Sequence, residues 1–192
     1  MMLFNKVIKK YSKYQNEFLI IASLSLLMLL TRGFHSSTIF NLPDASFIIM
    51  FAGGIFLKKI KWFFFLLFLS IGIDILAIKQ IINLYIINLG YLGLIFSYGI
   101  SWYLGQKLYK NNTSNKTFIS ISFIFLISSY IISTVTFYFF SGWKIEEDNI
   151  LRYMNTYFFE FLGNNLFYLL ILFIIIKTSN NLRLNSIIKT KY

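Results

Sequence analysis

Long apolar stretches with very few charged residues constrain most strongly what this chain can fold into. Six can be drawn, at residues 18–31, 45–57, 60–78, 81–104, 118–140 and 157–176. A helix needs about 20 residues to cross a hydrocarbon core roughly 30 Å thick, and the last four stretches have that length. The second is short, so it is expected to be tilted, thinly inserted or shielded by neighbours. The sequence predicts one domain, residues 1–192, that is an all-α integral membrane protein with six transmembrane helices.

Composition supports this class over a soluble one. Only 13% of the residues are charged, against about 25% in an ordinary soluble domain. The apolar runs are continuous and do not alternate, which disfavours a sheet. A basic segment precedes the first apolar run as in a signal peptide, but no small-residue cleavage site follows. We therefore interpret the first run as an uncleaved span.

The distribution of basic residues predicts the orientation. With the amino terminus inside, 14 of the 18 Lys and Arg residues fall on the cytoplasmic side of the six spans. An excess of Lys and Arg marks cytoplasmic loops, so both termini are predicted to be cytoplasmic. The same asymmetry accounts for the net charge of +11. Nucleic acid is not an expected partner, because no basic patch is interleaved with accessible aromatic residues outside the spans.

The segment "NLPDAS", residues 41–46, contains the only proline of the chain and is predicted to lie on the outer face. Pro43 suits the first turn of a helix, where its missing N–H would have no partner. Asp44 in the same turn is favoured by the helix dipole. The segment is therefore either a plain helix start or the rim of a pocket.

Further polar residues are predicted to gather in the outer half. Asp74, in "SIGIDILAI", is interpreted as the only acid well inside an apolar run, and a buried carboxylate needs a partner or a wet cavity. It is expected either to form a structural ion pair, with Arg32 as the candidate partner, or to serve function. The loop after residue 142 is either a solvated loop or a lid. The candidate ligand-binding residues are Arg32, His35, Asp44, Asp74, Tyr85, Asn88, Tyr91, Tyr138 and Ser141.

The fourth stretch also suggests how its helix packs. Asn88 is too deep to be comfortable in lipid and is expected to face the bundle. Gly90, Gly93 and Gly99 are expected to allow close helix approach. Polar and aromatic groups collected on one side of a bundle are what an outward-facing pocket requires.

Catalytic signatures are not found in the sequence. It has no zinc-protease, phosphate-loop, nucleophile-elbow or dinucleotide motif, and its 192 residues include no cysteine. Its single histidine leaves few options for a nucleophile beside a base. The sequence favours a binding or transport protein over an enzyme, with no intrinsic cofactor.

The order "TRGFH", "LPDASFIIMFAGGIFL", "GIDILAI", "LGYLGLIFSYGISW" and "TFYFFSG" resembles bacterial membrane proteins of the BtuM type. These are relatives of the substrate-binding S-components of energy-coupling-factor (ECF) transporters and take up cobalamin. The resemblance implies six helices in the inner membrane and a cobalamin pocket open to the periplasm. It also implies the general placement of Arg32, Asp44, Asp74, Tyr91 and Ser141 around that pocket. An ECF coupling subunit and ATPases are the protein partners it suggests.

The chain departs from that family at the cobalt ligand. Solitary members use a cysteine near the start of the fourth helix, where Ile86 stands here. His35 is the side chain with an imidazole donor for cobalt, with Asp44 as the group that would orient its ring. The alternative is a loop histidine without a ligand.

Two other functions remain open from the sequence. One is a cell-shape scaffold of the MreD kind, which shares small size, six or fewer spans and a Pro-Asp helix start. The other is an S-component for a different vitamin, because the chemistry of the pocket is not readable from these residues.

Overall fold

The computed structural model describes residues 2–32, 42–57, 59–78, 89–110, 114–140 and 149–189, with side chains over 16–32, 42–57, 59–76, 89–108, 114–140 and 149–178. This part of the chain forms six helices and contains no strand. The helices are α1 (Met2–Arg32), α2 (Ser46–Phe56), α3 (Ile60–Ile78), α4 (Gly90–Lys110), α5 (Asn115–Phe140) and α6 (Ile150–Lys189). The predicted all-α fold is confirmed.

The helix bounds differ most from the predicted stretches where polar residues flank apolar ones. α1 and α6 extend well beyond residues 18–31 and 157–176, and α4 runs past residue 104 to Lys110. Apolar runs measure the part suited to lipid, whereas Lys, Gln and Leu continue a helix equally well in water. Residues 81–88, the start of the predicted fourth stretch, lie outside the described residues.

The short helix α2 lies at the centre of the bundle. Ser46 and all residues from Ile48 to Ile55 are buried. α2 contacts α1, α3, α4 and α6, and the Phe51 ring stacks on Phe125 of α5 with 4.5 Å between centroids. Of the three expectations for the short second stretch, shielding by neighbours is thus the one that its burial supports.

Two glycines bring the backbones of α2 and α4 into contact. A Cβ added at Gly54 would lie 2.1 Å from the carbonyl oxygen of Trp102. A Cβ added at Gly105 would lie 2.1 Å from the carbonyl oxygen of Phe51. Small residues allow such close crossings between helices, and these two fix where α2 crosses α4.

The three glycines expected to let α4 approach a neighbour behave differently. A Cβ at Gly93 would lie 1.7 Å from Oγ1 of Thr136, so close contact with α5 is confirmed there. The expectation is wrong for Gly99, because nothing lies within 4 Å of an added Cβ. That position faces away from the helices α4 packs on, which spacing along one helix cannot reveal. Gly90 is buried at the start of α4.

Four helix ends meet at one end of the bundle, called here the Arg32 end. Arg32 closes α1, Ser46 opens α2, and the side chains of these residues are hydrogen-bonded. Asp74 near the end of α3 and Tyr91 at the start of α4 join them. Successive helices from α1 to α4 therefore run in opposite directions.

The opposite end, called here the lysine end, carries exposed basic side chains. Lys59 Nζ lies 2.8 Å from Oε2 of Glu17. Three other lysines lie over an aromatic ring of their own helix, at 4.5 to 5.9 Å from the ring centre. They are Lys61 over Trp62, Lys107 over Tyr103 and Lys177 over Phe173. Lysine with aromatic residues is the composition of a membrane–water interface.

Large apolar side chains cover the outside of the bundle, whereas small hydroxyl side chains lie inside it. Phe68, Phe96 and Phe159 are each more than 60% exposed. In the core, Ser101 Oγ lies 3.1 Å from Ser129 Oγ, which joins α4 to α5. α5 and the Ile150–Thr178 part of α6 are long and apolar enough to cross a membrane. A large exposed apolar surface of this kind marks contact with lipid or protein.

Candidate functional site

Arg32 is the centre of a buried polar cluster at the Arg32 end. Its guanidinium donates from Nε to Asp74 Oδ1 at 2.8 Å and from Nη2 to Asp74 Oδ2 at 2.6 Å. The pair is bidentate, the strongest geometry for an arginine and a carboxylate. Its side chains are 9% and 20% exposed. Of the two alternatives that the sequence leaves open for Asp74, the ion pair with Arg32 is thus present.

Asp44 is the second carboxylate of the cluster and also shapes the start of α2. Its Oδ1 accepts hydrogen bonds from the backbone N–H of Ser46 at 2.9 Å and from Ser46 Oγ at 2.6 Å. Ser46 Oγ accepts in turn from Arg32 Nη1 at 2.7 Å. Arg32 Nη1 lies 3.5 Å from Asp44 Oδ2. Asp44 thus fixes the first turn of α2 through one oxygen and leaves the other loosely paired.

Pro43 and Asp44 do not lie in the first helical turn, and this corrects the sequence prediction. α2 begins at Ser46 with Ala45 as its N-cap. The Asp44 side chain bonds the backbone of Ser46 and stabilises the helix start from outside. Short polar side chains commonly precede a helix in this way, accepting a hydrogen bond from the backbone N–H two residues later.

The segment before α2 is held from two sides. The backbone N–H of Ala45 donates to Thr31 Oγ1 of α1 at 3.3 Å. Tyr168 Oη of α6 donates to the carbonyl oxygen of Pro43 at 2.7 Å. The polar start of α2 is therefore fixed in place by a helix early in the chain and by the last one.

Two tyrosines of α4 complete the cluster. Tyr98 Oη accepts from Arg32 Nη1, and Tyr91 Oη donates to Asp74 Oδ2. They are seven residues apart, which places both on one face of the helix. Tyr98 and Ser46 were not among the predicted site residues; the seven-residue spacing of the tyrosines was the signal that could have found Tyr98. The set is called here the Arg32 cluster: Arg32, Asp44, Ser46, Asp74, Tyr91 and Tyr98.

The Arg32 cluster contains one more acidic than basic residue and reaches the protein surface at Asp44. It contains one arginine and two aspartates, and the Asp44 side chain is 36% exposed. Because Asp44 directly precedes the enclosed helix α2, its exposed part lies at the Arg32 end of the bundle. A carboxylate oxygen there can accept a hydrogen bond or balance a positive charge.

An aromatic wall joins the cluster to α5 and α6. The ring centroid of Phe47 lies 5.2 Å from that of Tyr98 and 5.4 Å from that of Phe161. Phe161 in turn lies 5.2 Å from Tyr130, whose hydroxyl donates to the carbonyl oxygen of Met154. The charged groups therefore have large aromatic surfaces beside them.

The other predicted site residues fall in two groups. Tyr138 packs its ring on Tyr153 of α6, with centroids 5.4 Å apart, near the ends of α5 and α6. The structure thus places it in a second aromatic group with Tyr153 and Tyr157. Four predicted residues lie outside the described part of the chain: His35, Tyr85, Asn88 and Ser141.

Glu160 corrects the interpretation of Asp74 as the only acid well inside an apolar run. It lies about three turns into α6, within the stretch Ile150–Thr178 that can cross a membrane, and it is exposed. Because the residues around Glu160 are mostly apolar, the mean hydropathy of the stretch stays high and does not reveal a single acid. Where side chains are described, no three His, Cys, Asp or Glu residues gather as metal ligands would.

The known proteins compared with this chain give no family match. Neither the family models nor the curated protein sequences contain one that matches it. The functional assignment therefore rests on the residues and contacts described above.

Proposed function

We propose that this chain is a six-helix membrane protein of the bacterial inner membrane that binds a vitamin for uptake, with cobalamin or a related corrinoid as the ligand. Two helices that can cross a membrane and an apolar outer surface support the membrane assignment. The observation that carries the binding role is the Arg32 cluster, whose Asp44 carboxylate is exposed at the end of an otherwise enclosed central helix. The chain supplies binding and not chemistry, and no intrinsic cofactor is required.

The depth of the cluster supports a site reached from outside. In the proposed orientation the lysine end is cytoplasmic. If the hydrocarbon core begins at Lys61, its outer boundary lies about 20 residues further along the chain, near residue 81. Asp74 then lies about 10 Å below that boundary at 1.5 Å per residue. Polar groups at this depth are costly unless they pair or line a wet cavity, and the partial exposure of the Asp44 side chain fits such a cavity.

The chemistry of the site fits a corrinoid. The periphery of a corrin ring carries amide groups that donate hydrogen bonds, and Asp44 Oδ2 is an acceptor with one loose partner at 3.5 Å. The aromatic wall beginning at Phe47 offers apolar surface to a large flat ring. Transport energy would come from an ECF coupling subunit and ATPases, as the family resemblance implies, or uptake would be facilitated.

Titration of the purified protein in lipid nanodiscs with cobalamin tests this function. We expect saturable binding. Asp44→Asn should lower the affinity about tenfold or more, because it removes one hydrogen bond to a charged acceptor. Asparagine keeps an oxygen that can accept from the Ser46 N–H. Glu17→Gln at the lysine end is the matched control and should leave affinity unchanged. No saturable binding, together with no rescue of cobalamin uptake in a transport-deficient host, would remove the proposal.

The same titration tests His35 as a cobalt ligand. Ligation by the protein shifts the absorption bands of bound cobalamin, and His35→Ala should abolish that shift while Asp44→Asn weakens affinity. If the bound ligand keeps the spectrum of free cobalamin, His35 is a loop histidine and the pocket binds the ring alone.

Single-cysteine labelling tests the orientation. The chain contains no cysteine, so Ser114→Cys and Asn149→Cys each introduce one thiol, at exposed sites next to the lysine end and the Arg32 end respectively. In intact cells a membrane-impermeant maleimide should label the Asn149→Cys variant, and it should label the Ser114→Cys variant only after permeabilisation. The reverse pattern would invert the proposed orientation.

A scaffold of the MreD kind is the second candidate, and one observation favours it. Every nitrogen of the Arg32 guanidinium already contacts an oxygen of the protein, as expected if the cluster only holds helices together. A scaffold would co-purify with cell-wall proteins and bind no vitamin. An S-component for another vitamin would show saturable binding of that vitamin and none of cobalamin.

A further inference from the structure

Glu160 projects from α6 away from the core. The next residue, Phe161, packs against Phe47 and Tyr130 inside the bundle. Glu160 itself is exposed, as is Phe159 at 71%. Across the described residues, no hydrogen bond or ion pair reaches the Glu160 carboxylate. This carboxylate is therefore available to a group from outside the bundle.

The depth of Glu160 gives its carboxylate a need for a partner. Lys177 lies over the Phe173 ring at the lysine end. If Lys177 marks the inner boundary of the hydrocarbon core, the outer boundary lies about 20 residues earlier in α6, near Tyr157. Glu160 then lies about 5 Å inside the hydrocarbon at 1.5 Å per residue. An ionisable side chain at such a position normally pairs with another polar group or faces water.

The surface around Glu160 has the shape of a helix-packing site. One turn further along, Gly163 is exposed and nothing lies within 4 Å of an added Cβ. Asn164 and Thr156 lie four residues to either side of Glu160 on the same face. The four residues are called here the Glu160 strip. Small residues that admit a backbone, next to polar side chains, are characteristic of contacts between membrane helices.

We propose that the Glu160 strip docks a transmembrane helix of another protein, which crosses α6 at Gly163 and presents a lysine, an arginine or another hydrogen-bond donor to Glu160. Lipid acyl chains supply no donor, and a lipid headgroup supplies a donor but no backbone that fills the open space at Gly163. In a symmetric pair of copies the same patch meets itself, which would bring two Glu160 carboxylates towards each other. A helix with a donor matches both the charge and the open space. This inference does not depend on which vitamin the Arg32 cluster binds.

A designed peptide tests the docking site on the full chain in lipid vesicles. The probe is a Leu/Ala transmembrane helix with one lysine at the depth of Glu160. The control peptide has leucine at that position. A donor dye sits on the Ser114→Cys variant, whose thiol is the only one in the chain, and an acceptor on the peptide end at the same side. The lysine peptide should bind at least about fivefold more tightly than the leucine peptide, as a hydrogen bond between membrane helices would produce.

Two substitutions separate charge from shape. Glu160→Gln should remove the preference for the lysine peptide. Gly163→Ile should weaken both peptides, whereas Gly99→Ile, also at a position with open space but on α4, should weaken neither. Melting curves and cobalamin titration of each variant report whether the fold and the Arg32 cluster are intact.

Three results would overturn the proposal. They are equal binding of the two peptides by the unaltered protein, a lysine preference that survives Glu160→Gln, and energy transfer between copies of the chain that Glu160→Gln abolishes. The last would assign the strip to a second copy. Loss of vitamin binding with an intact peptide preference would contradict the function proposed above and leave this inference standing.

Discussion

Arg32→Gln is expected to lower the free energy of unfolding by roughly 3–5 kcal/mol, the cost of leaving a buried charge without its partner. The substitution leaves the carboxylate of Asp74 and the partly exposed carboxylate of Asp44 with no arginine between them. It also removes the donor that reaches Ser46 and Tyr98. Unfolding in mixed detergent, followed by circular dichroism, measures the loss.

The second carboxylate makes the single substitutions unequal. Asp74→Asn should cost less than Arg32→Gln, because Arg32 keeps Asp44 at 3.5 Å and the charges then balance. The double change Arg32→Leu with Asp74→Leu should also cost less than Arg32→Gln, since apolar replacements of a buried pair are often tolerated. If Asp74→Asn and Arg32→Gln lower the free energy of unfolding equally, Asp44 does not compensate for the missing carboxylate.

The ion pair at the other end of the bundle is the control for these effects. Lys59 and Glu17 are 2.8 Å apart, but the lysine side chain is 41% exposed. A pair that reaches solvent contributes only about 0–1 kcal/mol. Glu17→Gln should therefore change the free energy of unfolding little, although it removes the same kind of contact.

Gly54→Ala is expected to lower the free energy of unfolding by about 1–3 kcal/mol or more, the usual cost of overpacking a core. The new Cβ would lie 2.1 Å from the carbonyl oxygen of Trp102, a backbone atom that cannot rotate aside. Gly105→Ala should have a similar effect against Phe51. Both force α2 and α4 apart along the crossing that defines the core.

Gly72→Ala is the matched control for this crossing. Nothing lies within 4 Å of an added Cβ at Gly72 in α3. Alanine favours a helix over glycine by about 1 kcal/mol, so this variant should be as stable as the unaltered protein or more stable. If Gly54→Ala melts at the same temperature as Gly72→Ala, the close crossing of α2 and α4 does not exist in solution.

The sequence predicts the helices and the central ion pair for physical reasons that differ. Continuous apolar runs report helices directly, since lipid accepts no unpaired backbone. Arg32 and Asp74 are scarce charges beside apolar runs, and scarcity alone suggests that they pair. Asp44 could be placed near them because the end of the first predicted span and the start of the second lie on the same side of the membrane.

Other features of the site depend on which face of a helix turns inward, and amino-acid composition does not determine that face. Tyr98 lies among many aromatic residues, and only its seven-residue spacing from Tyr91 distinguishes it as a partner of Arg32. Gly93 and Gly99 look alike in sequence, yet only Gly93 meets a neighbouring helix. Glu160 escapes notice because its apolar neighbours dominate any average. Three-dimensional packing separates these cases.

The central position of α2 has a consequence for the biosynthesis of the protein. α2 is made before α4 and α6, two of the helices that enclose it, and its glycine face stays uncovered until Gly105 of α4 has been synthesised. Domains fold while synthesis proceeds from the amino terminus, so in the membrane protein proposed above the nascent chain holds a short apolar helix before its packing partners exist. Assembly of this protein therefore ends with the enclosure of its middle, and a ribosome that stops after α3 leaves an intermediate whose future core is still uncovered.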